Sequence, residues 1–159
     1  MTFFTAIPSP IGSLCLTSDG TALTGLYLPT QRCNDSLWIR ADDFAIFNSA
    51  RNWLAKYFAG NPGAVEFPIV PAGTEFQRSV WEILLSIPYG ESMSYGTIAK
   101  RLGEKQSAQA VGQAVGRNPI SIIIPCHRVL GAKGQLTGYA GGLENKKWLL
   151  AHEGIAFAE

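Results

Sequence analysis

The chain has 159 residues, of which 47% are hydrophobic and 16% charged; a chain of this length buries about two-thirds of the surface its unfolded state exposes, which excludes disorder and removes any need for staples. The formal net charge of +1 gives no overall pull toward a polyanion, but its distribution is uneven: residues 1–70 carry four Lys/Arg against five Asp/Glu and residues 71–159 nine against seven, which is weak evidence for a nucleic-acid partner held with modest, salt-sensitive affinity. No apolar run approaches the roughly 18 residues of a membrane span and no leader pattern opens the sequence, so the expected location is cytoplasmic and no membrane partner is expected.

In chain order, Leu14–Thr17 and Ala22–Tyr27 flank Asp19-Gly20, and Asp-Gly between alternating apolar runs predicts a β-hairpin. Phe44, Phe47, Leu54, Tyr57 and Phe58 recur at helical spacing and Gly60-Asn61-Pro62 stops the pattern, so a helix is expected over 43–58. Pro68, Pro71 and Gly73 cannot continue a helix or a central strand, which puts a domain boundary there: 1–70 and 71–159. Thr74-Glu75-Phe76-Gln77 reads as a capping box opening a helix that buries Phe76, Val80, Leu84 and Ile87 before Pro88.

Two short helices follow, Tyr95–Leu102 after Ser94 and Ala108–Val115 after Ser107, separated by Gly103-Glu104-Lys105-Gln106, which is the pattern of a helix-turn-helix. The second helix is built mostly of small residues, a composition that suits close approach to DNA and equally suits tight packing in a core. The run Ile120–Ile124 reads as a buried strand leading into Cys126. Glycines at 131, 134, 138, 141 and 142 mark a loop where a ligand could approach main chain. A last helix, Leu143–His152, is anchored by Trp148, Leu149 and Leu150 and stopped by Gly154.

The block Ile124-Pro125-Cys126-His127-Arg128-Val129 carries the chemistry. A thiol with an ordinary pKa of about 8.5 is mostly protonated at neutral pH, and a base or cation nearby is what turns it into a nucleophile. Contact between Cys126 and His127 needs a turn, and Pro125 is one way to make it. Adjacency alone leaves two readings open, a reactive thiol or a small buried apolar side chain. Cysteines 15, 33 and 126 form no CxxC pair, and with His127 and His152 as the only histidines a metal site would need scattered ligands. Neither a metal, a cofactor nor a disulfide scaffold is expected, and Cys15 and Cys33 carry no functional argument.

Ser94-Tyr95, Ala110-Val111-Gly112, Asn118-Pro119, the Ile-Pro-Cys-His-Arg-Val block, Gly138-Tyr139-Ala140-Gly141-Gly142 and Trp148-Leu149-Leu150-Ala151-His152-Glu153-Gly154, in this order, closely resemble the O6-alkylguanine-DNA alkyltransferases. The likeness spans nearly all of 74–154 and is loose before residue 70. It implies an α+β chain, with an N-terminal ribonuclease-H-like α/β domain followed by a mostly helical winged helix-turn-helix domain. It implies a monomeric DNA repair protein that flips O6-alkylated guanine, with O4-alkylthymine a further candidate, out of double-stranded DNA and moves the alkyl group irreversibly to cysteine without a cofactor.

On that likeness Cys126 is the acceptor, His127 the base through a bridging water, and Glu153 the group that orients His127. Because Glu153 lies near a helix C-terminus, where the dipole disfavours a carboxylate, it needs a compensating partner. Tyr95 would donate to guanine N3 or else simply pack, and Asn118 would tie the recognition helix to the cysteine segment. Tyr139 and Ala140 would line the base pocket, the carbonyls of Cys126 and Val129 would meet the exocyclic amine, and Val115 would lie near the pocket. Gln109, Ala110, Gly112 and Arg117 would face DNA. Gln109 departs from the family, which usually has arginine there to fill the gap left by the flipped base. A cysteine hydrolase, built on the same Cys-His-carboxylate set, and a lesion-binding module without chemistry are the rival readings; neither accounts for both the helix-turn-helix and the thiol.

Overall fold

The computed structural model describes residues 1–31, 35–103 and 107–159; Cys33 and the turn expected over 103–106 lie wholly or mostly outside the described residues. Asp19-Gly20 makes the expected hairpin: Asp19 Oδ1 accepts from the amides of Thr21 and Ala22 at 2.9 Å, and Gly20 takes a φ of 108° that an L side chain would resist. Its arms are β2 (Leu14–Ser18) and β3 (Leu23–Tyr27). The sequence reading missed β1 (Phe3–Ile7), which pairs antiparallel with β2, and the two-residue β4 (Ile39–Arg40), which pairs parallel with β1, giving the sheet order β3-β2-β1-β4. Helix α1 (Ala45–Phe58) covers the sheet with the stripe Ile46, Phe47, Ala50, Trp53, Leu54 and Tyr57, the periodicity from which it was expected.

The Pro-rich segment after α1 hydrogen bonds to the edge of β3, with Leu23 N donating to Pro68 O at 2.9 Å and Val70 N to Leu23 O at 2.8 Å. Further along the same strand, Leu26 N donates to Pro119 O at 2.9 Å and Ser121 N donates to Leu26 O at 3.2 Å. One edge strand of the N-terminal half thus grips the segment that leads to Cys126.

The C-terminal half opens with α2 (Glu75–Leu85) behind the expected capping box, Thr74 accepting from Gln77 N and Gln77 reaching back to Thr74 N. Helix α2 buries Val80, Trp81 and Leu84, and the Trp81 indole donates to Ala114 O at 2.9 Å; Phe76, expected inside, is only partly covered. Strand β5 (Met93–Ser94) leads into α3 (Tyr95–Leu102), and α4 (Ala108–Gly116) follows. Ser94 and Ser107 cap the two helices by accepting from Thr97 N and Ala110 N. Strand β6 (Val129–Leu130) pairs parallel with β5, and α5 (Leu143–His152) ends at Gly154, whose φ is 74°. A continuous cluster of buried apolar side chains runs through both halves, from Leu14 and Phe47 to Ile124 and Leu149. Among the described residues no helix is long and apolar enough to cross a membrane.

Two expectations are corrected. Residues 120–124 are not a strand. Ile123 N bonds to Ser121 O and Cys126 N to Ile124 O, both at 2.8 Å, so the chain closes two successive three-residue turns and leaves no amide row for a ladder. Cys15, for which the sequence carried no functional argument, is disulfide-bonded, so a chain read as lacking a disulfide scaffold still holds a disulfide link.

Replacing Thr74 with alanine removes the exposed side-chain cap of α2. The expected result is a loss of about 1 kcal/mol of stability, read as a lower denaturant midpoint at unchanged slope.

Candidate active site

The loop that presents Cys126 is held by Asn118. Its Oδ1 accepts from Ile120 N at 2.9 Å and its Nδ2 donates to Ile124 O at 2.8 Å, spanning the tightly turned segment from inside. Ile122, at the centre of the first three-residue turn, has a φ of 70°, a left-handed conformation that is costly for a β-branched side chain. It is retained because Ile120, Ile122 and Ile124 are all fully buried and because both ends of the turn are tied, to Asn118 and to Leu26. Pro125, with φ −81° and ψ 64°, centres the second turn and aims the chain into a single 3-10 turn, Cys126–Arg128.

Glu153 is the C-cap of α5 and is buried, yet its carboxylate is fully engaged. Oε2 accepts from His127 Nε2 at 2.5 Å and from the Tyr57 hydroxyl at 2.6 Å; Oε1 accepts from Arg128 Nε at 2.7 Å and from Gly90 N at 3.1 Å. Burial works to raise this carboxyl, but the hydrogen bonds from His127, Arg128 and Tyr57 outweigh it and bring the pKa down to about 2. The compensating partner expected for a carboxylate at a helix C-terminus is thus His127 together with three further donors. Burial lowers the pKa of His127, with Glu153 opposing, so the resting pair is a neutral imidazole beside a carboxylate. A carboxylate only accepts, which puts the ring proton on Nε2 and leaves Nδ1 as the basic atom. Nδ1 is buried and has no hydrogen-bond partner.

Cys126 is 5% exposed and opens onto a cavity of about 350 Å³ whose walls include Tyr95, Val115, Asn118, Tyr139 and Ala140. Burial pushes its thiol pKa up, opposed by the Asn118 amide, the Tyr139 hydroxyl and the Lys146 charge. On the far wall the Tyr95 hydroxyl shares a 2.7 Å hydrogen bond with Thr137 Oγ1, and Lys146 Nζ donates to the same Oγ1 at 3.1 Å and to Val129 O at 2.8 Å. Lys146 is 1% exposed and burial draws its pKa down to about 8.

Of the residues expected at the site, Cys126, Tyr95, Asn118, Gly112, Val115, Tyr139 and Ala140 share this cavity, with His127 and Glu153 behind the thiol. Ala110, Gly112 and Arg117 line a neighbouring groove between α2 and α4, and Gln109 is exposed in the first turn of α4. Val129 does not line the cavity; its carbonyl is taken by Lys146. Sequence reasoning missed Tyr57, Lys146, Thr137 and the bond from Arg128. Lys146 left a trace, since it shares a face with buried Leu149 and Leu150 three and four residues on. Tyr57 left none beyond the apolar stripe of α1.

Two family models match the chain: the 6-O-methylguanine DNA methyltransferase ribonuclease-like domain over residues 2–71 and the DNA binding domain of the same name over 75–155. The chain is 43% identical to the methylated-DNA–protein-cysteine methyltransferase of Methanosarcina acetivorans, covering 96% of this chain and 98% of that protein. It is 46% identical to the protein of that name from Mycobacterium tuberculosis, covering 96% and 93%. The crystal structure of Mycobacterium tuberculosis OGT in complex with DNA superposes with a TM-score of 0.87 at 45% identity, covering 96% of this chain and 92% of that one. With a thiol at the cavity, a buried His-Glu pair behind it and relatives matched along almost their whole length, the chain belongs to the 6-O-methylguanine DNA methyltransferase family.

Proposed function

We propose that this protein repairs double-stranded DNA by moving the alkyl group of a flipped O6-alkylguanine to Cys126, once per molecule, as a monomer in the cytoplasm and without a cofactor or metal. Residues 71–159 form the reacting domain and 1–70 its support. The observation that carries the reading is the joint placement of the Cys126 thiol in the cavity wall and an unpartnered basic nitrogen on His127 behind it.

Consecutive side chains on a 3-10 turn diverge by about 120°, so Cys126 and His127 do not face one another and the proton travels through a bridging water. The thiol proton passes by that water to His127 Nδ1, and Glu153 stabilises the imidazolium that forms. The sulfur then attacks the alkyl carbon, the carbon–O6 bond breaks, and its electron pair stays on the purine. Tyr95 donates to N3 and offsets that charge. Lys146 donates to Thr137, which frees the Thr137 proton for Tyr95 and leaves the Tyr95 proton for the cavity. The thioether has no leaving group that a side chain here could displace, so the protein is spent. Intact mass after incubation with O6-methylguanine DNA should show one methyl per chain on Cys126 and none on Cys126→Ser; continued turnover of substrate by a fixed amount of protein would favour a hydrolase instead.

The pH behaviour follows from the same groups. Glu153, with a pKa of about 2 folded and an ordinary value of 4.5, contributes stability in full above pH 4.5 and loses it as pH falls toward 2. Acid unfolding of the parent should therefore steepen below pH 4.5. In Glu153→Gln that component should vanish, with stability at neutral pH lower by about 3 kcal/mol because Arg128 is left buried without its carboxylate. The same variant should react on the order of 100-fold more slowly.

Gln109 lies exposed where it can reach a duplex but carries neither charge nor a stacking plane. In Gln109→Arg, the rate constant with alkylated duplex DNA should rise while that with the free alkylated base stays put. Equal rates for parent and variant on the duplex would remove Gln109 from the DNA interface.

A further inference from the structure

Tyr57 belongs to α1, in the N-terminal half, and it is bound to the end of α5 at two points. Its hydroxyl donates to Glu153 Oε2 at 2.6 Å and its carbonyl oxygen lies 2.9 Å from His152 Nε2. The side chain is fully buried, and its ring stands edge-on to Tyr89 at 5.8 Å and to His127 at 6.5 Å, so the phenol has no freedom to seek another acceptor. The oxygen it addresses is the one that also accepts the His127 ring proton.

We propose that Tyr57 is a positioning residue for alkyl transfer: it shares Glu153 Oε2 with His127 and so sets both the placement of the carboxylate and the basicity it confers on the imidazole. The inference rests on the assignment of His127 as the base. A hydrogen bond donated to Oε2 draws negative charge from that oxygen, and the carboxylate then stabilises the imidazolium less than it would alone. The bond therefore keeps His127 neutral at rest and ready to take a proton. The titratable and charged groups packed around the pair are Cys126 and Arg128 from the 3-10 turn, Lys146 and His152 from α5, and Tyr89 from the loop after α2. None of these donates to Oε2; the Tyr57 hydroxyl does, beside His127 itself, and it comes from the N-terminal half.

The test uses the full chain, the free base O6-benzylguanine as substrate so that DNA binding does not enter, and the rate constant for Cys126 alkylation followed from acid to alkaline pH. Tyr57→Phe deletes the donor, so the acid limb should move up by about half a unit, a roughly threefold slower reaction at a pH on that limb. Incorporating 3-fluorotyrosine at position 57 makes the phenol a stronger donor and should move the limb the opposite way, with no loss of volume in the core. The ring ¹⁵N shifts of His127 should titrate in step with each limb, and Tyr27→Phe, remote from the site, should leave the profile unmoved. Opposite displacements of the two variants establish the inference. Limbs that coincide with the parent's, or a uniform loss of rate at every pH in both variants, overturn it. Absence of alkylation in the parent with both O6-benzylguanine and O6-methylguanine DNA would instead refute the proposed reaction, while the His127 titration would still report on Tyr57.

Discussion

Everything at this site turns on one buried carboxylate. An ionised Glu153 taken out of water is tolerable only because four donors converge on its two oxygens from three stretches of the chain: one from α1, one from the loop after α2, and two from the 3-10 turn. Removing any one leaves a charge undersatisfied in a region where water cannot make up the loss. The carboxylate therefore assembles the site as much as it tunes it. It fixes the tautomer of His127, holds Arg128 in place so that its other arm reaches Ile87 O at 2.7 Å, and docks the end of α5 against the N-terminal half.

The N-terminal half bears on the cavity from three sides. Leu26 on β3 holds the segment entering the Cys126 turns, Thr30 Oγ1 donates to Gly141 O at 2.6 Å behind Tyr139 and Ala140, and Tyr57 steadies Glu153. Leu28 lies so close to Gly141 that a side chain at that position would collide with it, which explains the glycine there. A sheet remote from the chemistry in sequence thus determines the shape of the pocket and the orientation of its base.

How much of this could be read in advance depended on the range of the interaction. The Asp19-Gly20 hairpin, the Thr74-Gln77 box, the Ser94 and Ser107 caps and the helix over α5 are decided within a few residues, and the sequence displays them openly. The Cys-His pairing and the need of Glu153 for partners at a helix C-terminus were also local arguments. Residues 120–124 misled because an unbroken isoleucine run has the composition of a buried strand, while the Asn118 side chain and Pro125 supply hydrogen bonding and curvature that a composition does not reveal. Lys146 and Tyr57 acquire their parts only when distant elements meet, and a lysine on an apolar face looks like a solvated charge until its acceptors are known.

The burial that raises the Cys126 pKa bears on how long the protein stays useful. Peroxides and stray electrophiles attack exposed thiolates, and a sulfur kept protonated in a narrow recess offers them little to react with. For a nucleophile that cannot be regenerated, such inertness preserves the stock of competent molecules during idle periods. Ionisation is deferred until a base fills the recess and the relay through His127 becomes worthwhile, so shelf life and reactivity are governed by the same closed pocket.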